Sequence, residues 1–199
     1  MSAAPGVLLV FEGLDQSGKQ TQAERLRDRL VAAGHTVRLL SFPDYDTAIG
    51  KEIGLALRGE RDFPADVMQL LYVANRHEYK ERIVRDLASG VMVVCDRYLA
   101  SSVAYGEAQG LDAEWLLTIQ RFLPRPDVTF LLDIKPDVAA RRKTADRDKF
   151  ERDLALLGRV RDAYHRLAAS GWVTLDASQS RDDVAARVAD VVDAALARR

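Results

Sequence analysis

The run Gly13-Leu14-Asp15-Gln16-Ser17-Gly18-Lys19 follows directly on the apolar stretch Val7-Leu8-Leu9-Val10-Phe11. Glycines at both ends let the backbone bend tightly and come close to a ligand. Successive N–H groups then point inward as a nest for an anion. A helix that starts near Lys19 adds its positive end, and Lys19 itself adds a mobile charge for β- and γ-phosphates. The chemistry expected here is the binding of a nucleoside triphosphate. In the full pattern the lysine is followed by Ser or Thr, whose hydroxyl holds Mg²⁺. Here Gln20 stands in that place and Thr21 comes next.

Other groups fall where they could serve the same chemistry. Asp96-Arg97-Tyr98 follows the apolar run Val91 to Cys95. An aspartate after such a strand is a usual partner of nucleotide-bound Mg²⁺, and a planar arginine fork suits a second phosphate. Ser41-Phe42-Pro43-Asp44-Tyr45 ends another apolar run, with Pro43 fixing the exit of the chain and Phe42 suited equally to core and to site. Tyr72, Asn75 and Arg76 are spaced i, i+3, i+4 and so share one helical face. An aromatic ring with an arginine can stack on a base and donate to its carbonyl. Spacing alone favours a plainer reading, a partly buried tyrosine beside a solvated arginine. The segment Arg141 to Lys149 holds five basic residues in nine positions. Beside a phosphate loop it could act as a lid that brings arginines onto a transferring phosphoryl group.

These residues need a frame. Five short apolar runs, 7–11, 37–42, 91–95, 128–134 and 172–175, are continuous and not alternating, as buried parallel strands are. Helical stretches separate them: 19–33 closed by Gly34, 48–58, Ala65 to Ala88 as one long helix, 99–107, 113–122, Leu154 to Ala169, and Val184 to Ala197. Alternating strand and helix predict a three-layer α/β/α sandwich on a five-stranded parallel sheet. Its ligands bind beyond the C-terminal ends of the strands. Without repeats or linkers, residues 1–199 read as one domain, with a lid at about 141–150.

The bulk numbers exclude other classes. A net charge of −1 gives no general attraction to nucleic acid or an anionic membrane. No apolar run approaches the roughly 20 residues that span a bilayer. The N-terminus lacks a basic region before its apolar stretch, so a cytoplasmic location is the expectation. The single cysteine, Cys95, lies in an apolar run and reads as core. The three histidines have no metal-ligand spacing.

Taken together the motifs resemble the thymidylate kinase family, in that family's order, from about residue 7 to 176. They are Phe11-Glu12-Gly13-Leu14-Asp15, Phe42-Pro43, Ala74-Asn75-Arg76, Asp96-Arg97-Tyr98 with Ser101 and Ala104-Tyr105, Leu123-Pro124-Arg125-Pro126-Asp127, Phe150-Glu151 and Asp176-Ala177-Ser178. The resemblance implies a P-loop fold of strand order 2-3-1-4-5 and transfer of the ATP γ-phosphoryl group to dTMP, a step toward dTTP. It implies that Gly13 to Thr21 hold ATP, with Lys19 on its phosphates and Arg142 over adenine. Asp15 would bind the 3′-hydroxyl of the acceptor sugar and Tyr72 would stack on thymine. Arg76 would bond O4, Arg97 would bind the acceptor phosphate, and Ser101 would help read the base. Tyr105 would lie where a 2′-hydroxyl would clash.

Three positions depart from the pattern. Gln20 replaces the metal-binding hydroxyl, leaving its own amide, Thr21 or water to assist Asp96. Gln16 stands where some relatives carry a catalytic arginine, which shifts that role to the lid, with Arg147 the best placed. Tyr45 stands where many relatives have an arginine for the acceptor phosphate. The family also suggests a homodimer. Alternatives are a kinase for another nucleoside monophosphate, a kinase made inactive by Gln20, and a nucleotide-dependent switch. The Asn-Lys-x-Asp base motif of guanine-binding switches does not occur in the sequence.

Overall fold

The computed structural model describes residues 5–142 and 153–198. Strand β1 (Leu8–Glu12) is buried along its whole length. It pairs in parallel with β3 (Met92–Asp96) on one side and β4 (Val128–Asp133) on the other. Strands β2 (Val37–Ser41) and β5 (Val173–Asp176) complete the sheet, in the order β2-β3-β1-β4-β5. Strand type and order both match the expectation.

The continuous apolar character of β1 has a simple cause. Val7, Leu9 and Phe11 point into one core, and Leu8 and Val10 into the other. Both faces of the sheet are covered, so neither face of the strand can be polar. Phe11 stacks on Phe130 of β4 with ring centroids 5.0 Å apart. The larger core packs under α1 (Lys19–Ala32), α8 (Leu154–Ala168) and α9 (Arg181–Leu196). The smaller one includes Tyr98, Ile83 and Leu123.

Helix α1 ends as expected. Gly34 has φ +88, its N–H donates to the carbonyl of Val31, and that of His35 donates to Leu30. This pair of bonds is a Schellman closure, which a residue with a Cβ would strain.

The long helix expected over 65–88 is two helices, α3 (Ala65–His77) and α4 (Lys80–Ala88). Tertiary contacts hold the chain at the joint. Asn75 donates to the Glu78 carboxylate, the Tyr79 hydroxyl donates to Asp44, and the Tyr79 ring meets Phe42 edge-on at 5.6 Å. Helix α2 (Ala48–Leu57) and α5 (Leu99–Ala108) fall close to expectation. Helix α6 (Ala113–Thr118) stops short of 122, before a segment whose Pro124 and Pro126 disfavour helix. A short helix, α7 (Pro136–Arg142), was not anticipated. Pro136 opens it at the position where a missing N–H costs nothing.

All five strands point the same way, so Glu12, Ser41, Asp96, Asp133 and Asp176 end them along one edge. The chemistry expected from sequence lies at that edge.

Candidate active site

The loop from Gly13 to Gly18 joins β1 to α1. Gly13 has φ +141, and a Cβ there would lie 2.5 Å from the backbone oxygen of Leu132 on β4. Gly18 is needed for a different reason: its φ is +93, with open space around it. Gln16 also takes a left-handed conformation, with φ 63. Gly18 caps α1 without any side-chain bond, which leaves the first-turn N–H groups to an anion.

Lys19 is buried, and its Nζ donates to the Leu14 carbonyl at 2.7 Å. Burial, reinforced by the nearby Arg97 cation, brings its pKa down to about 8. The Ser17 hydroxyl and one oxygen of Asp96 are buried with no hydrogen-bond partner among the described residues.

Asp96 ends β3 opposite Phe11 of β1, beside the start of the loop. The next residue, Arg97, has φ 64, and its N–H donates to the carbonyl of Phe11. That turn sends the guanidinium back over the loop. Its Nη2 donates to Asp15 Oδ1 at 2.6 Å, and its Nη1 to the Gly13 carbonyl at 3.2 Å. The Tyr105 hydroxyl donates to the other Asp15 oxygen at 3.0 Å. Burial pushes the Asp15 carboxyl up, but Arg97 and then Lys19 pull it well below the usual carboxylate range. Burial likewise weakens the charge on Arg97, and the Asp15 carboxylate more than restores it.

An open cavity of about 540 Å³, solvent included, lies on the Asp15 side of the loop. Phe42, Tyr45, Tyr72, Arg76, Arg97, Ser101 and Tyr105 line it, so most of the expected acceptor residues converge there. Phe42 serves both readings, since it is also core against Tyr79 and Tyr98. Tyr45 is 49% exposed at the rim. The solvated arginine suggested by spacing is overturned. Arg76 is buried, and its Nη1 donates to the Ser102 hydroxyl at 2.8 Å. Asn75 serves the fold and not the cavity: it bonds both backbone groups of Asp44 and the Thr47 hydroxyl.

On the other side of the loop a second cleft is lined by Gln16, Ser17, Gly18, Thr21 and Arg142, closed by the turn after β5. Arg142 donates to the carbonyls of Gln16 at 3.1 Å and Ala177 at 2.7 Å, tying loop to turn. Gln20 does not join this cleft; it is exposed, and its amide donates to Glu24 one turn along the helix. Arg147, Phe150 and Glu151 lie outside the described residues, as does the expected lid beyond Arg142.

Sequence reasoning missed four groups. Gln69 and Ser102 line the acceptor cavity, and the buried Gln69 oxygen has no partner among the described residues. Gln69 precedes Tyr72 by three residues and Arg76 by seven, a helical stripe that could have revealed it. Glu12 and Tyr164, both fully buried, form a network behind Arg97. A lone charge ending an apolar strand was the available signal for Glu12; Tyr164 had none.

A parallel sheet of this order, with a glycine-framed loop leading from its central strand into a helix, defines a P-loop kinase. A family profile for thymidylate kinase matches residues 11–188, and the chain belongs to the thymidylate kinase family. It is 37% identical to the thymidylate kinase of Schizosaccharomyces pombe, over 94% of this chain and 91% of that one. It is 35% identical to the human thymidylate kinase, over 92% and 88% of the two chains. A solved thymidylate kinase from Candida albicans superposes with a TM-score of 0.83 at 27% identity, covering 96% of this chain and 93% of its own.

Proposed function

We propose that this protein transfers the γ-phosphoryl group of ATP to dTMP, giving ADP and dTDP. One observation carries the reading: the phosphate loop stands as a wall between two openings, with Asp15 lining one and Gln16 the other. A donor in the second cleft and an acceptor in the first would meet across Lys19 and Arg97.

In the reaction an oxygen of the dTMP phosphate attacks the γ-phosphorus, and the bond to the β–γ bridging oxygen breaks. At neutral pH that phosphate is already largely a dianion, so no base has to remove a proton. Catalysis is then positioning and charge neutralisation. Lys19 and the loop amides take the donor phosphates, Arg97 takes the acceptor phosphate, and Arg142 borders the adenine side. Tyr72 stacks on thymine, Arg76 donates to O4, and Phe42 and Ser101 complete the base pocket. Asp15 and Tyr105 face the sugar, and Tyr45 covers the rim. Arg147 keeps its proposed part as the lid arginine on the family resemblance alone.

Mg²⁺ fits the residues present. The partnerless buried Asp96 oxygen is a suitable acceptor for a metal-bound water. No cluster of three His, Cys, Asp or Glu side chains that could hold a metal occurs among the described residues, but Mg²⁺ at a nucleotide needs only one or two carboxylates with phosphates and water. Asp96 would hold it with Thr21; Gln20 could help only by leaving Glu24. When bound, the ion neutralises charge on the β- and γ-phosphates.

The proposal extends to a homodimer in the cytoplasm. Support for the first is the family resemblance together with the exposed Leu70 on α3. No described helix is long and apolar enough to cross a membrane.

The test is a panel of dTMP, dUMP, UMP, AMP and dGMP with ATP, with and without Mg²⁺. The highest kcat/KM is expected for dTMP with Mg²⁺; a preference for a purine overturns the reading.

A further inference from the structure

Glu12 ends β1 with no exposure to solvent, and among the described residues no arginine or lysine is hydrogen-bonded to it, although the buried Arg76 cation interacts with it electrostatically. It accepts four hydrogen bonds instead. One carboxylate oxygen takes the backbone N–H of Tyr98 at 2.9 Å and of Ser101 at 3.3 Å, at the start of α5. The other takes the hydroxyls of Ser101 at 2.6 Å and Tyr164 at 3.1 Å. Those same two hydroxyls accept from Arg97 Nη1, at 3.1 and 3.3 Å.

The arrangement gives each hydroxyl a direction. A hydroxyl has one hydrogen to donate and lone pairs to accept with. Ser101 Oγ also lies 2.9 Å from the Tyr164 hydroxyl, so the Ser101 hydrogen serves Glu12 and the Tyr164 hydrogen is shared between Glu12 and Ser101. Both point away from the guanidinium, and the lone pairs remain for Arg97. Arg97 is therefore gripped on two sides, by Asp15 in front and by the hydroxyl pair behind. Such a grip matters next to Lys19, since a free arginine would turn away from a second cation. Ordering a free arginine at the moment of binding would also cost side-chain entropy.

We propose that Glu12 is a positioning residue for Arg97, acting through the hydroxyls of Ser101 and Tyr164. The inference rests on the phosphoryl-transfer reading above. Tyr164 extends it to α8: that helix holds the acceptor arginine through one phenol oxygen.

The test compares E12Q and Y164F, each in the wild-type protein and in an R97K background, with kcat and KM measured for dTMP and for ATP. In E12Q an amide donor faces groups that already donate, so the hydroxyls must turn. In Y164F one bridge is lost with little change of shape. Each is expected to lower kcat/KM for dTMP at least tenfold in the wild-type background, with KM for ATP within twofold. In R97K, whose ammonium cannot use the same fork, the added loss is expected to shrink to within twofold. A purely structural role gives the same loss in both backgrounds and overturns the proposal, as does unchanged kcat/KM in folded Y164F. If E12Q fails to fold, Y164F decides alone. A wild type that does not phosphorylate dTMP overturns the function and this inference together; an active wild type with unaltered variants overturns this inference alone.

Discussion

Asp15 Oδ1 and Arg97 Nη2 lie 2.6 Å apart, although 82 residues separate them in the chain. The pair joins the phosphate loop to the start of α5, and Tyr105 bonds the second Asp15 oxygen. A residue expected to touch the acceptor sugar thus also orients the residue expected to touch the acceptor phosphate.

Replacing Asp15 with Ala should therefore reach the phosphate end of dTMP as well as the sugar. A hydrogen bond to a charged group contributes about 1.5–3 kcal/mol, or roughly 10- to 150-fold. The expected outcome is a fall of that size in kcat/KM for dTMP, with a smaller change in KM for ATP. Steady-state kinetics with each substrate varied in turn would check it, and equal changes in both KM values would contradict it.

Lys19 supplies a pH prediction. Its pKa lies at about 8, below the ordinary 10.5, because burial disfavours its charge. Holding that charge in the fold costs stability below pH 8, and the cost fades as pH rises from 8 toward 10.5. A bound polyphosphate favours the charged form, so ATP binding should take up protons above pH 8 and weaken as pH climbs further. Calorimetry at pH 8.5 in two buffers of different ionisation enthalpy measures the uptake directly. K19R should abolish it, because arginine stays charged throughout this range.

Asn75 tests the joint between α3 and α4. N75A removes the acceptor of the Asp44 N–H and the donor to Thr47, Glu78 and the Asp44 carbonyl. Leaving a buried backbone group unpaired costs about 1–3 kcal/mol, and the Asp44 N–H is part-buried, so a value toward the lower half is expected. In a chain of this size that lowers Tm by roughly 3–10 °C. Thermal unfolding followed by circular dichroism would check it, and a shift below about 1 °C would show that water replaces the amide without loss.

Much of the site was legible in sequence, for a physical reason. Gly13, Gly18 and Lys19 answer to backbone geometry and charge over a few residues, so local spacing reveals them. The strands were equally plain, because a sheet covered on both faces leaves continuous apolar runs. The failures share the opposite character. Nothing within 65–88 announces the break between α3 and α4, since Asp44 and Phe42 on another element hold it. The burial of Arg76 depends on Ser102, 26 residues away. Tyr164 looks like any tyrosine on an amphipathic helix until its hydroxyl is seen beside Glu12.

That last contact bears on how the protein comes into being. Glu12 and Tyr164 are 152 residues apart, so at about 5–20 residues per second synthesis takes roughly 8–30 s to deliver the second after the first. Through that interval the phosphate loop can exist as a turn, but of the two hydroxyls behind the acceptor arginine only that of Ser101 has been made. A nascent chain or N-terminal fragment would therefore gain less stability from dTMP than the finished chain.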